Sequence, residues 1–198
     1  RIAEIDINPL LASPERVIAL DARVVLHPAE VADKDLPKLA IRPYPYRYEM
    51  RTTTLDGTPI CIRPIRPEDE PAVIAFHKSL SDDTVVARYG VNRPLAERID
   101  HARMTRICFA DYDRQFAIVA DVLKDDAAAP EFAAIARVSR VHASDDRHLT
   151  MTVADAWQRR GVGACLIRTA ITVAKGEGVA NLVSEFSPRN TRMRELLA

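Results

Sequence analysis

The sequence predicts an α/β (α+β) chain: a mixed, mostly antiparallel sheet flanked by helices, with a short β piece ahead of it. Three observations carry this. Asp56-Gly57, a dipeptide that tolerates the positive φ angles of a tight hairpin turn, separates two strand-like runs. Three more strand-like runs follow one another near Gln115 to Val122, Glu131 to Arg140 and Arg147 to Val153. The last leads through a glycine-containing turn into Gly161 to about Lys175, where apolar residues fall at helical spacing.

Taken in order, Ile2 to Ile7 alternates apolar with acidic residues, and Arg16 to Leu26 is rich in Val, Ile and Leu around Asp21. Asn8-Pro9 and Ser13-Pro14 mark turns between them. From His27 to Tyr48 the prolines 28, 37, 43 and 45, with interleaved charge, suit an extended connector. The expected division is therefore a first piece over 1–27, a Pro-rich linker over 28–49 and a main domain over 50–198. The chain opens without Met in a strand pattern and closes in a helical one, Thr191 to Ala198, with no Gly or Asn cap. It reads as a fragment whose main domain is incomplete at the C-terminus.

Within that domain, Arg51 to Leu55 and Thr58 to Ile65 flank the hairpin turn. Pro67 opens a helix with Glu68, Asp69 and Glu70 in its first turn, where the helix dipole favours acids, and Val73, Phe76, His77 and Leu80 form its core face. A second helical region covers Asp82 to Tyr89 and Leu95 to Thr105, and an acidic, alanine-rich loop spans Lys124 to Pro130. In the helix after Gly161, the residues Val162, Cys165, Leu166, Thr169, Ala170 and Val173 share one face, and Gly176 and Gly178 end it. A strand, Asn181 to Phe186, and a helix after Pro188 complete the order.

Composition narrows the function. Hydrophobic residues make up 47% of 198, enough for one core of ordinary size plus a smaller element. Basic and acidic residues each total 28, so no net field draws the chain to nucleic acid or an anionic membrane, and an anion must be held locally. Cys61, Cys108 and Cys165 are far apart among apolar neighbours, without metal-like spacing, which reads as buried thiols in a reducing compartment. Neither a membrane-length apolar run nor a secretory signal pattern is present, so a cytoplasmic protein is expected.

The segment Val153-Ala154-Asp155-Ala156-Trp157-Gln158-Arg159-Arg160-Gly161-Val162-Gly163-Ala164 joins a strand to a helix. Backbone N–H groups in a first helical turn lack intrahelical partners, and the peptide dipoles place about half a positive charge there. Gly161 and Gly163 let a diphosphate approach those donors, and Arg159 and Arg160 can add charge-assisted contacts. The dinucleotide and nucleoside-triphosphate fingerprints are both absent. Glycine used only for close packing is the alternative.

Gln158, Gly161 and Gly163 match the [Gln/Arg]-x-x-Gly-x-[Gly/Ala] turn that holds acyl-CoA in the GNAT superfamily of acetyltransferases, which the chain resembles. The order of elements, from Ile-Arg-Pro-Ile-Arg-Pro-Glu-Asp (62–69) through the meander, turn and helix to Asn190, is that of GNAT proteins. Val-Ala-Asp-Ala-Trp-Gln is similar to GNAT domains fused to ADP-forming acyl-CoA synthetases, a group that includes bacterial protein lysine acetyltransferases. This likeness covers about Met50 to Ala198. It implies a GNAT fold and acetyl-CoA bound by Gln158 through Ala164, by main-chain groups of Met151 and Val153, and by Asn190. It also implies direct attack on the thioester by an acceptor amine in a ternary complex, a protein lysine as acceptor, and a synthetase domain in the same chain if full length. Glu4-Ile5-Asp6-Ile7-Asn8-Pro9-Leu10 and Ala19-Leu20-Asp21-Ala22 look like the end of an ATP-grasp domain. In an intact domain of that kind the residues matching Asn8 and Asp21 bind Mg²⁺; no metal is expected within this fragment.

Where the fused lysine acetyltransferases carry a catalytic glutamate, this chain has His148, either a base, since histidine exchanges protons near neutrality, or a solvated strand end. Glu185 is the second candidate base, or an outward-facing strand residue. His77 reads as a satisfied core histidine, His101 and His142 have no partner in sequence, and Trp157 packs the entrance to the turn. Arg189, Arg192 and Arg194 read as a solvated face. No tyrosine follows Tyr112, so the general acid of many GNAT enzymes has no counterpart. A non-catalytic acyl-CoA sensor regulating a synthetase is the alternative function, and a ligase remnant a third.

Overall fold

The computed structural model describes residues 1–37, 42–112, 115–124, 129–141, 144–187 and 190–197. The acidic loop after Lys124 lies partly outside them, and His142, Pro188 and Arg189 wholly so. The chain divides into two compact units, Arg1–Ile41 and Arg42–Ala198.

In the first unit, β1 (Ile2–Ile7) pairs antiparallel with β4 (Ala22–Leu26), and β2 (Leu10–Ala12) with β3 (Val17–Ala19). The run Arg16 to Leu26 thus forms two strands, broken at Leu20-Asp21. Ile7 is the register partner of Ala22, so Asn8 and Asp21 sit side by side where the ladder ends.

The second unit is a six-stranded sheet in the order β10-β9-β8-β7-β6-β5: β5 (Met50–Thr53), β6 (Pro59–Pro64), β7 (Gln115–Val122), β8 (Glu131–Arg140), β9 (Arg147–Val153) and β10 (Leu182–Val183). Each neighbouring pair is antiparallel except β10 with β9. The helices are α1 (Glu70–Lys78), α2 (Asp82–Tyr89), α3 (Leu95–Arg98), α4 (His101–Cys108), α5 (Val162–Gly176) and α6 (Thr191–Leu197). Successive strand side chains point to opposite faces. Phe116, Ile118 and Ala120 therefore join α5's Val162, Leu166, Ala170 and Val173 in one buried cluster, while Ala117 and Val119 join Val73, Phe76 and Met104 in another. Burial on both faces explains the nearly unbroken apolar runs of β7 and β8.

The expected helix Leu95 to Thr105 is broken into α3 and α4. The Asp100 carboxylate accepts the Arg103 N–H at 3.1 Å, starting a new helix where the old pattern would continue. The stretch read as a connector ends in packed structure: Tyr48 is buried edge-on against Phe116, and its hydroxyl reaches Glu177 at the end of α5. Arg42 and Arg47 pair with the same carboxylate at 2.6 and 2.7 Å. Of the three free thiols Cys61 is only half-buried, whereas burial pushes the Cys108 thiol up to about 12.

Arg63, Asp69 and His77 are among the polar side chains buried in this unit. Arg63 grips both oxygens of Asp69 at 2.7 and 2.8 Å and also reaches Asp121, while Asp69 accepts the Arg66 N–H at 2.8 Å. This lock gives the Ile-Arg-Pro-Ile-Arg-Pro-Glu-Asp segment its structural meaning: it ties β6 to the start of α1. Asp69→Ala leaves a buried guanidinium short of its partner and should lower unfolding free energy by about 3–5 kcal/mol in denaturant titrations. His77 is buried as expected of a core residue, but its Nδ1 has no hydrogen-bond partner among the described residues, so it is not satisfied. Burial, with Arg103, Arg98 and Arg88 adding to it, pulls its pKa down from 6.5 to about 4. The unfolded chain therefore binds this proton more readily, and stability is full above pH 6.5 and falls as pH drops toward 4. Thermal melts across that window should show a loss on the order of 3 kcal/mol, which His77→Phe should largely abolish.

Candidate functional site

The junction between β9 and α5 is built from left-handed backbone and a bare helix start. Ala154 closes the sheet by donating to Ala133 O at 2.9 Å, and a 3₁₀ turn, Asp155–Trp157, follows. Trp157 packs against both core clusters and donates to Glu131 at 3.1 Å. Arg159 and Gly161 then take φ of 61° and 82°. The first α5 bond runs from Cys165 N–H to Gly161 O, and Gly161 offers no side-chain cap. The amides of Val162, Gly163 and Ala164 thus precede the helical ladder and point out of its positive end.

The β5–β6 hairpin braces this turn. Leu55 N–H donates to Arg160 O at 2.9 Å, and its side chain lies 3.0 Å from where a Cβ on Gly161 would stand. Arg160 pairs with Asp56 at 2.9 Å and lies over the Trp157 ring. Arg160 is therefore committed to the hairpin, whereas the Arg159 side chain is exposed. Gly163 is buried: a Cβ there would meet Leu196 of α6 at 3.1 Å and Met151 at 3.4 Å.

β9 and β10 are paired only at Arg147/Leu182 and His148/Val183, so the strand expected over Asn181 to Phe186 is reduced to two residues. Arg147 N–H bonds Asn181 O, Leu149 O accepts from the Ser184 hydroxyl, and Val153 O accepts from Gln158. Main-chain groups of the odd-numbered residues therefore face the β10 side, Met151 among them. Where the strands part, His148 Nε2 accepts the main-chain N–H of Glu185 at 3.3 Å, a contact that does not involve the Glu185 carboxylate. The Glu185 side chain is exposed.

A clasp that sequence reasoning missed ties the turn to α2. Asp155 accepts from Ser81 N–H at 2.9 Å, the Ser81 hydroxyl at 2.7 Å and the Thr84 hydroxyl at 2.7 Å. Partial burial pushes the Asp155 carboxyl up, but these hydrogen bonds outweigh it and hold it below the usual carboxylate range. Gln158 donates to Thr84 Oγ1 at 3.0 Å and Val153 O at 3.2 Å. Ser81, the N-cap of α2, was the readable signal. Asn190 is occupied too: its Oδ1 accepts from Met193 N–H, starting α6, and its Nδ2 donates to Ala87 O. His101, without a partner in sequence, meets Glu70 at 2.9 Å.

This donor set fits a CoA thioester. Uncapped amides at α5 suit a diphosphate, and the free edge of β9 suits an amide-bearing arm. The arrangement is that of an acyl-CoA-binding transferase. Residues 60–198 match the family model of the acetyltransferase (GNAT) domain. An acetyltransferase of Pseudomonas aeruginosa is 30% identical over 143 residues, covering 71% of this chain and 73% of its own. The GNAT domain of S. lividans PAT has the same fold, with a TM-score of 0.69 at 24% identity over 78% of this chain and 88% of that one. Mycobacterium smegmatis RimJ, solved in complex with CoA-disulfide, has a TM-score of 0.57 at 16% identity, over 75% and 72% of the two chains. The chain belongs to the GNAT acetyltransferase family, whose members transfer an acyl group from acyl-CoA to an amine, with acetyl-CoA as donor.

Gly161→Ala forces a Cβ into left-handed backbone against Leu55. It should cost about 1–2 kcal/mol of stability in chemical denaturation, and calorimetry should show weakened acetyl-CoA binding.

Proposed function

We propose that this protein is an N-acetyltransferase whose acceptor is a protein lysine and that the amine attacks the thioester directly in a ternary complex. The observation that carries the reading is the place of His148, where β9 and β10 part and the free edge of β9 begins. Acetyl-CoA would supply the activated acyl group: the C–N bond to the acyl carbon forms, the C–S bond breaks, and the CoA sulfur leaves with the second proton that the amine nitrogen sheds. His148 Nε2 takes the proton from the acceptor's ammonium once the Glu185 N–H bonded to it has let go. The Met151 N–H, on the free edge of β9, is the donor that faces developing negative charge on the carbonyl oxygen. Gln158 through Ala164 hold the diphosphate.

One observation favours a second reading, a non-catalytic acyl-CoA sensor. The lone pair on His148 Nε2 is already engaged by the Glu185 amide, so it accepts a substrate proton only when that bond yields. Radiolabelled acetyl-CoA with lysine peptides separates the two. Transfer by the full-length protein, lowered about 100-fold in kcat by His148→Gln with acetyl-CoA affinity retained, supports the enzyme. Tight acetyl-CoA binding without transfer supports the sensor.

We read the N-terminal unit as the end of an ATP-grasp domain from an attached acyl-CoA synthetase in a cytoplasmic protein. The Ile-Asn-Pro-Leu wording and the adjacency of Asn8 and Asp21 support this. Mg²⁺-ATP should bind the full-length protein and bind more weakly after Asp21→Asn, measured by calorimetry; unchanged affinity would remove Asp21 from the metal site.

A further inference from the structure

A cavity of about 580 Å³ opens on the face of the sheet away from α5, walled by Arg103, Arg106, Arg137 and Arg140 together with Asp111 and Ser139. Its position follows from strand alternation. Ile135 belongs to the cluster beneath α1 and α4, and Arg137 and Ser139, two and four residues on, share its face. Arg137 is the register partner of Thr150 and Ser139 that of His148. Paired residues of antiparallel strands put their side chains on the same face. The arginine wall therefore stands one strand away from His148, roughly 5 Å across the sheet, and on the face opposite the helix whose amides suit the diphosphate.

Among the described residues these guanidiniums have neutral partners or none. Arg103 donates to the Tyr89 hydroxyl at 2.8 Å and to Arg98 O, and Arg137 donates to Gln115 Oε1 at 2.7 Å. The Arg137 Nε is buried with no hydrogen-bond partner among the described residues. Among the described residues no ion pair reaches any of the four. Burial, and then the charges of Arg103 and Arg88, push the Arg137 pKa down, and Arg88 itself is lowered by burial with Arg103 and Arg93 adding to it. A chain with no net charge has gathered four arginines against one carboxylate, Asp111, around this hollow, and an anion relieves both the excess positive charge and the unpaired donor.

We infer that this cavity receives carboxylates of the acceptor, so that lysines flanked by glutamate or aspartate are the preferred substrates. The inference rests on the lysine acetyltransferase reading. Arginine forks match carboxylate geometry in two-point contacts, and an acid one or two residues from a lysine lies within a strand spacing or two of the reacting amine.

The test uses the full-length protein and two fluorescein-labelled peptides, one with glutamates on both sides of a central lysine and one with glutamines. Anisotropy titration should give the acidic peptide at least ~10-fold tighter binding, the scale of one charge-assisted hydrogen bond. The Arg106→Gln/Arg140→Gln variant should lose most of that preference while calorimetry gives unchanged acetyl-CoA affinity. Equal binding of the two peptides, or a preference undiminished in the variant, overturns the inference. Displacement of the acidic peptide by free citrate at comparable concentration overturns the acceptor as the source of the carboxylate. If the preference follows the arginines but no lysine is acetylated, the lysine reading fails and the carboxylate site stands.

Discussion

β9 and β10 run side by side for two residues and then separate, and from Leu149 onward the outer main-chain groups of β9 have lost their strand neighbour. Backbone amides and carbonyls in a protein interior need partners. Part of the need is met locally, by the Ser184 hydroxyl on Leu149 O and by Gln158 on Val153 O. What is left between them is a short stretch of unpaired edge centred on Met151, flanked by the bare start of α5. A full-length β10 would close the site.

The turn that follows β9 is held from two sides. The hairpin tip meets it through Leu55 and Asp56, and α2 meets it through Ser81 and Thr84. The Asp155 carboxylate satisfies the start of α2 while Gln158 reaches back to Thr84, so four hydrogen bonds tie the turn to that helix. The arginine-walled hollow and the start of α5 lie on opposite faces of the sheet, and His148 is the register partner of Ser139 in the wall of the hollow.

Much of this was legible in the sequence, for identifiable reasons. β7, β8, β9 and α2 begin and end where periodicity put them, since long apolar runs bounded by turn residues leave little choice of register. The strand-to-helix turn was legible because glycine spacing reports backbone geometry directly. The break at Asp100 was not, because one capping carboxylate overrode a continuing helical pattern. Nor was the early parting of β10: Leu182 to Phe186 looks like any strand, and its length is set by its neighbour. The Asp155 clasp and the arginine wall escaped for a common cause. Each joins residues that tertiary packing alone brings together, Ser81 with Asp155 and Arg103 with Arg137.

Glu177 gives the site a mechanical property. A carboxylate at the C-terminal end of a helix opposes the dipole, yet here Arg42, Arg47 and Tyr48 surround it and fasten that end of α5 to the residues leading into the sheet. The other end is fixed by the turn, so the helix behaves as a strut clamped at both tips. If a diphosphate binds at the α5 amides as proposed, it would meet donors already aimed, so less of its binding energy would go into ordering the receiver.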